Sequence, residues 1–465
     1  MKISGKGLLM VLLGAAGLAC AAPTRVQLWF DTEDYTWDRS NDAIRDIANL
    51  LTEEGVRGHF NIAGYVARFL MDNHRQDVID ALKPHLIGTQ TLYHSLHPNI
   101  TEATDLEDYD EAYHIALAQE SEGNGMLKAV FGRDRILFSC FPGNGSSYVA
   151  LDVYADQGIP FHGGCGGLYS DRKQGELWYL NQRHLPYEAS LHLESFLPGR
   201  FEHMDYDRRL TELSRRDMVT LYMHPHMAVR MEHWDKPNYD RGNLVEFGKW
   251  KPATPRPVAD TELYYSRLRA FIRRLKADPR FEFTDCERLL AEQKPRVPIT
   301  RADVPKIRTA LLKDFGPIDE PASWCVADCF CAAVKFLRGE TVHCPGNVHG
   351  FLEKPVGVSS PVVVKTTDLK TAAARICLRR YLPAQYDVGG VKLGPADVLF
   401  AALEALETGA AEVVVVPRDQ LGDIKGKLPG LAGFRHTDSW IYWPEFKDDY
   451  LADRLRWQFW TLRYE

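Results

Sequence analysis

The chain has 465 residues, 45% hydrophobic and 26% charged, with a net charge of -7 at neutral pH. At about 100–200 residues per domain, that length suggests two or three domains and a sizeable core. The composition is that of an ordinary globular protein, and the mild negative charge gives no electrostatic draw toward nucleic acid, so a neutral, polar partner is the expectation.

Residues 1 to 22 read as an export signal: Lys2 and Lys6 give the positive start, Leu8 to Leu13 the apolar core, and Ala19-Cys20-Ala21 a small-residue cleavage site. The apolar run is too short to span a bilayer. Leu18-Ala19-Cys20 also has the look of a lipidation site, a second route that would anchor the chain at Cys20, although Gly17 stands where a larger aliphatic is usual. The expected location is outside the cytoplasm, periplasmic or extracellular. Of nine cysteines, cleavage would leave eight, or nine if the cut precedes Cys20, which permits disulfides without defining a disulfide scaffold.

From Arg25 the pattern alternates. "RVQLWF" is strand-like, "NDAIRDIANLLTEEG" places Ile44, Ile47, Leu50 and Leu51 on one helical face with Gly55 as its stop, and "GHFNIAG" is strand-like again. The alternation continues through "RILFSCF", the helical "SYVALDVYADQG", the strand "MVTLYMH", the helix "ADTELYYSRLRAFIRRLKAD" and "FEFTDCERLLAEQ". Repeated βα units predict a parallel sheet covered by helices, with chemistry at the carboxyl ends of its strands. The proline-bearing, charged stretch 292–306 marks a boundary. Beyond it, "ASWCVADCFCAAVKFL" and "PADVLFAALEALETG" read as helices, "AEVVVVPR" as a strand and "DDYLADRLRWQFWTLRYE" as a long terminal helix. The predicted organisation is a signal over 1–22, a first α/β domain over 25–292, and a smaller α/β domain over 305–465.

Four polar clusters come after strand-like runs: "FDTEDY" at 30–35, "GTQTLYHSLH" at 88–97, "FPGNGSS" at 141–147 and "MHPH" at 223–226. Carboxylates and imidazoles brought together suit a divalent cation such as zinc, which leaves one position for water in a catalytic site. Each cluster has a plainer reading: a helix cap for the acids, a surface loop for "HSLH", a packed histidine for His224. A calcium loop is a poorer reading, because the acids do not alternate through the segment and the required glycine is missing at the sixth position.

The order and spacing of all four clusters resemble the NodB-type polysaccharide deacetylases of carbohydrate esterase family four, over roughly residues 25 to 290. The resemblance implies an irregular deacetylase-like (β/α) barrel carrying a smaller C-terminal α/β domain. It makes Asp31 the general base and Asp34, with Glu33 as the other choice, a metal ligand. The family's histidine motif falls on "QTLYH", so His94 is the second histidine ligand and Gln90 stands in the place of the first; His97 is a candidate substitute. The family's arginine beside the base corresponds to Cys140 or Phe141. His224 matches the late catalytic histidine, and "HWDKPNYDRGN" after it looks like a tryptophan-aspartate segment seen in one subgroup. Glu33, Asn144 and His226 are expected to face substrate.

The resemblance also implies a metal-assisted hydrolysis of N- or O-acetyl groups on a carbohydrate, with zinc as the first choice of metal and cobalt or nickel after it. Asp31 would take a proton and His224 give one. Gln90 and the missing arginine support a second reading, an inactive or weakened relative that binds glycan in the old cleft. A third is a hydrolase of another bond that uses Asp31 and His224 without metal. Weaker signals are Cys165 in "GGCGGL" as a nucleophile, and an aromatic stretch, "SWIYWPEF", as a sugar-stacking surface. Cys325, Cys329 and Cys331 lack the paired spacing of a zinc site and read as small buried hydrophobes.

Overall fold

The computed structural model describes residues 22–465 apart from 165–166, 169–176, 186, 189, 240–244, 321, 379, 437–440 and the side chain of Asn144. The export signal with Cys20, the Cys165 thiol and part of the "SWIYWPEF" stretch lie outside the described residues.

Nine strands build the first body: β1 (Thr24–Thr32), β2 (His59–Ile62), β3 (Leu86–Thr89), β4 (Phe138–Cys140), β5 (Phe161–Gly163), β6 (Leu177–Tyr179), β7 (Gln182–Leu185), β8 (Met218–Met223) and β9 (Phe281–Phe283). Pairing is parallel in the order β8, β1, β2, β3, β4, β5, β7. Just past β7, a parallel bridge between Tyr187 and Thr220 joins this run back to β8. The sheet therefore curls round and meets its own beginning, as expected of an irregular (β/α) barrel. Parallel partners need crossovers, and helices such as Asp38–Glu53, Tyr109–Phe131, Tyr148–Asp156 and Val258–Ala277 supply them.

Strand β1 shows why the sequence folds this way. Successive side chains in a strand point to opposite faces. Val26, Leu28 and Phe30 join the large core under the helices, while Trp29 joins a separate cluster with Phe138, Phe161 and Leu185. Trp29 stacks on His59 at 5.3 Å. Gly163 is required beside it, since a Cβ there would lie 2.5 Å from the indole. The same alternation, continued one step past the strand end, puts Asp31 and Glu33 on the face of Trp29 and Asp34 on the other.

A second core gathers residues from Ile299 to Val415 together with Trp460. The helices Val304–Lys313, Val326–Leu337, Thr366–Arg375 and Pro395–Thr408 pack with three two-stranded antiparallel ladders. Cys325, Cys329 and Cys331 are buried, and the seven described cysteines are all free. The terminal segment is not one long helix. Its helix covers only Leu451–Trp457, a 3-10 turn comes next at Phe459–Thr461, and Arg463–Tyr464 pairs antiparallel with β6. Leu451, Leu455, Phe459 and Leu462 belong to the first core and Trp460 to the second, so the segment lies between the two. Among the described residues no helix is long and apolar enough to cross a membrane.

Candidate active site

The carboxyl ends of β1, β3, β4 and β8 surround a cavity of about 190 Å³ lined by Asp31, Glu33, Gln90, His94, Phe141, Gly143, Tyr222, His224 and His233. Strand register places Asp31 opposite Asn61. One oxygen of Asp31 accepts from the Asn61 amide at 2.9 Å, the Tyr187 hydroxyl at 2.9 Å and the Cys140 thiol at 3.6 Å. Its other oxygen lies 3.9 Å from His224 Nε2. Burial raises the Asp31 pKa, and the opposing pull of His224 and of the Asn61 hydrogen bond does not cancel it.

His224 sits where β8 runs into the 3-10 turn Pro225–Ala228. Its Nδ1 is 2.7 Å from Glu194 Oε1, and Arg200 donates to the other Glu194 oxygen at 2.8 Å. Burial works against a charge on His224, but Glu33, the Glu194 hydrogen bond and Asp31 outweigh it and lift its pKa to about 10. The ring is thus cationic at neutral pH and presents Nε2 to Asp31.

Glu33 faces the other side of the cavity. Its Oε2 is 2.7 Å from His94 Nε2 and accepts from the Gln90 amide at 3.0 Å; its Oε1 accepts from the Trp234 indole at 3.2 Å. Burial alone would raise its pKa, yet the charges of His94 and His224 hold it well below the usual carboxylate range. Burial opposes a charge on His94 in turn, but Glu33 overcomes it and raises the histidine's pKa. On the far side of His94, Asp235 Oδ2 lies 3.9 Å away, with an acid pushed up to about 6 by burial. The β3 loop reaches this position through left-handed backbone at Thr91 (φ 62°) and His94 (φ 57°), each worth roughly 1–3 kcal/mol of strain.

Two expected ligands are elsewhere. Asp34 is 2% exposed and turned out of the cavity, its Oδ2 2.7 Å from Arg230 Nε and accepting from Ser40 at 2.5 Å, while its Oδ1 accepts from the Thr36 amide and hydroxyl at 2.9 and 2.6 Å. Alternation along β1 is the cause, and Asp34 acts as a strut between the β1 and β8 loops. His97 turns its Nδ1 to Glu102 at 2.6 Å and packs against Trp443 and Tyr239. Of the ligand candidates the resemblance names, Glu33, His94 and Gln90 meet in the cavity, His94 and Gln90 both on Glu33 Oε2, while Asp34 and His97 do not join them.

His226, expected at substrate, is 2% exposed, and neither ring nitrogen has a hydrogen-bond partner. An orphaned buried polar group of this kind costs about 1–3 kcal/mol. Its Nδ1 is 4.0 Å from Glu33 Oε1, and burial drives its pKa well below the ordinary histidine value. Asn144 lies in the turn Pro142–Asn144 at the cavity rim, its side chain outside the described residues. Of the two residues expected at the family's arginine, Cys140 gives Asp31 a thiol donor at 3.6 Å and Phe141 lines the cavity.

Sequence reasoning missed Asn61, Tyr187, Glu194, His233 and Asp235. Three were within reach: Asn61 lies on the strand beside β1, and His233 and Asp235 stand in the "HWDKPNYDRGN" segment. Glu194 reaches His224 across 30 residues and carries no local signal.

No family model matches the sequence, and no curated protein does. Solved structures do. A 4-alpha-glucanotransferase from Thermococcus litoralis is 12% identical with a TM-score of 0.41, covering 59% of this chain and 41% of its own. A family 4 carbohydrate esterase from Streptomyces lividans in complex with acetate is 13% identical with a TM-score of 0.31, covering 57% and 94%. A CE4 family pseudoenzyme from Bacillus anthracis is 16% identical with a TM-score of 0.27, covering 44% and 55%. The chain thus spans less than half the length of the first of these. All three likenesses are too distant to assign any residue its role.

Proposed function

We propose that the protein is an exported hydrolase that removes N- or O-acetyl groups from a carbohydrate, with Asp31 as general base and His224 as general acid. The observation that carries this reading is the pair itself: a buried carboxylate and the imidazole of His224, held by Glu194, face each other at 3.9 Å in one cavity. Asp31 takes the proton of a water that attacks the acyl carbon, and His224 Nε2 delivers a proton to the departing amine or alkoxide. Asn61 and Tyr187 fix the Asp31 carboxylate, while Glu194 keeps His224 charged and aimed. Phe141 and Tyr222 give the acyl methyl an apolar wall.

The resemblance implies a divalent metal, zinc before cobalt or nickel. Because Asp34 and His97 are committed elsewhere and Gln90 presents a donor to Glu33, no step of this hydrolysis is routed through a metal held by those positions.

The second reading, a glycan-binding relative without turnover, is favoured by one contact: a thiol on Asp31, with Cys140 or Phe141 standing where the family places an arginine. One experiment separates the two. The purified chain is incubated with acetylated chito-oligosaccharides and acetylated xylan, and both acetate release and saccharide binding are followed. Release supports the hydrolase; binding without release supports the relative and refutes the enzyme.

A further inference from the structure

The geometry points to a divalent-cation site built from Glu33, His226 and His233, with the two histidines supplied by the loop after β8 and not by the loop after β3. One ligand atom from each of the three residues lies within 4.8 Å of the others. Ligands at zinc distances of about 2.0–2.1 Å in a tetrahedron stand about 3.4 Å apart, so closing the set needs movements on the order of 1 Å. Zinc takes imidazole nitrogen and carboxylate oxygen, and this set supplies two of the first and one of the second, leaving a position open toward the cavity that Glu33 and His233 line.

The independent observation is His226. It is buried, aimed at Glu33, and has a hydrogen-bond partner at neither ring nitrogen. A buried imidazole normally donates through one nitrogen and accepts through the other, whereas a ligand keeps one lone pair for its metal. The loop around it is pinned. The Arg256 guanidinium donates to the carbonyls of Met227 and Arg230 at 3.0 and 2.9 Å, and Thr261 donates to the carbonyl of Ala228 at 2.7 Å. The Asp34–Arg230 ion pair ties the same loop to the end of β1, and the Trp234 indole orients Glu33 Oε1. The Trp234 indole thus fixes a ligand carboxylate directly, and the other contacts fix the backbone that flanks His226.

The set differs from the one the family resemblance names, since His94 here pairs with Glu33 as a salt bridge and is not required. Cation binding is independent of the hydrolase reading: it is measured without substrate, so either can fail alone.

The full-length protein is stripped with chelator and titrated with zinc by equilibrium dialysis, and cobalt(II) is added in a parallel series read by visible absorption. Wild type is expected to bind one equivalent and to give the intense bands of four-coordinate cobalt. His226→Ala and His233→Ala each weaken zinc at least about tenfold and lose those bands, while His97→Ala does neither. His226→Gln and His233→Asn, checked by circular dichroism, serve if an alanine variant does not fold. No zinc bound by wild type, or loss of binding in His94→Ala with retention in His233→Ala, overturns the assignment.

Discussion

Two loops at the same end of the sheet carry histidines, and they contribute differently. The loop after β3 holds the motif-like pair His94 and His97, yet one ring closes on Glu33 and the other leaves for Glu102. The loop after β8 holds His224, His226 and His233, whose rings stand 4.6 to 5.5 Å from one another around the cavity. Spacing in sequence fixes neither outcome. What decides is the partner each ring meets: Glu33 takes His94, Glu102 takes His97 and Glu194 takes His224, while His226 lies buried on a pinned loop with no hydrogen-bond partner at either ring nitrogen.

The largest expected difference between the loops is in turnover. His224→Ala should lower the rate of acetyl hydrolysis by about 10²–10⁴-fold, whereas His97→Ala should leave it within a few-fold; steady-state kinetics on the same acetylated glycan reads both. Equal losses would erase the contrast.

Next is stability at the strut that joins β1 to the β8 loop. Asp34 and Arg230 are both buried, and removing one partner of a buried pair costs about 3–5 kcal/mol. Arg230→Ala should therefore lower the unfolding free energy by that amount in urea titrations. A mild effect of Arg230→Ala would mean the β8 loop is held by other contacts.

A smaller, pH-dependent effect belongs to the β3 side. Glu120, on the helix Tyr109–Phe131, is fully buried and also interacts with the backbone of Leu92; burial lifts its acid to about 7 despite the hydrogen bond from Tyr154. Its folded pKa lies above the unfolded value, so the stability it contributes is complete below about 4.5 and is lost as pH rises through about 7. Glu120→Gln should flatten this loss, making the variant relatively more stable than wild type at pH 8 than at pH 5, by an amount on the order of 1–3 kcal/mol. Parallel melting curves that keep the same difference at both pH values would contradict the assignment.

Much of the fold and part of the site are legible in the chain. The βα alternation, the helix face of Ile44, Ile47, Leu50 and Leu51, and the placing of Asp31 and His224 at strand ends all come from periodicity and from the carboxyl-end rule. The choice between Glu33 and Asp34 is legible too, since period-two alternation from Trp29 puts Glu33 with Asp31; the family resemblance points the other way, to Asp34. Other features leave no trace in the local sequence. Glu194 finds His224 only through tertiary placement, and His97 is claimed by Glu102, so its direction depends on loop geometry that histidine spacing does not encode. The break of the terminal segment into a helix, a 3-10 turn and a short strand is also not visible in its helical periodicity.

The central claim is that Asp31 and His224 work as one reacting pair. It is tested most directly by acetate-release kinetics on Asp31→Asn, His224→Gln and the double variant. Groups that act as a unit are not additive, so the double variant is expected to lose about as much activity as the worse single variant. Losses that multiply across the two positions, or an Asp31→Asn protein as active as wild type, would contradict it.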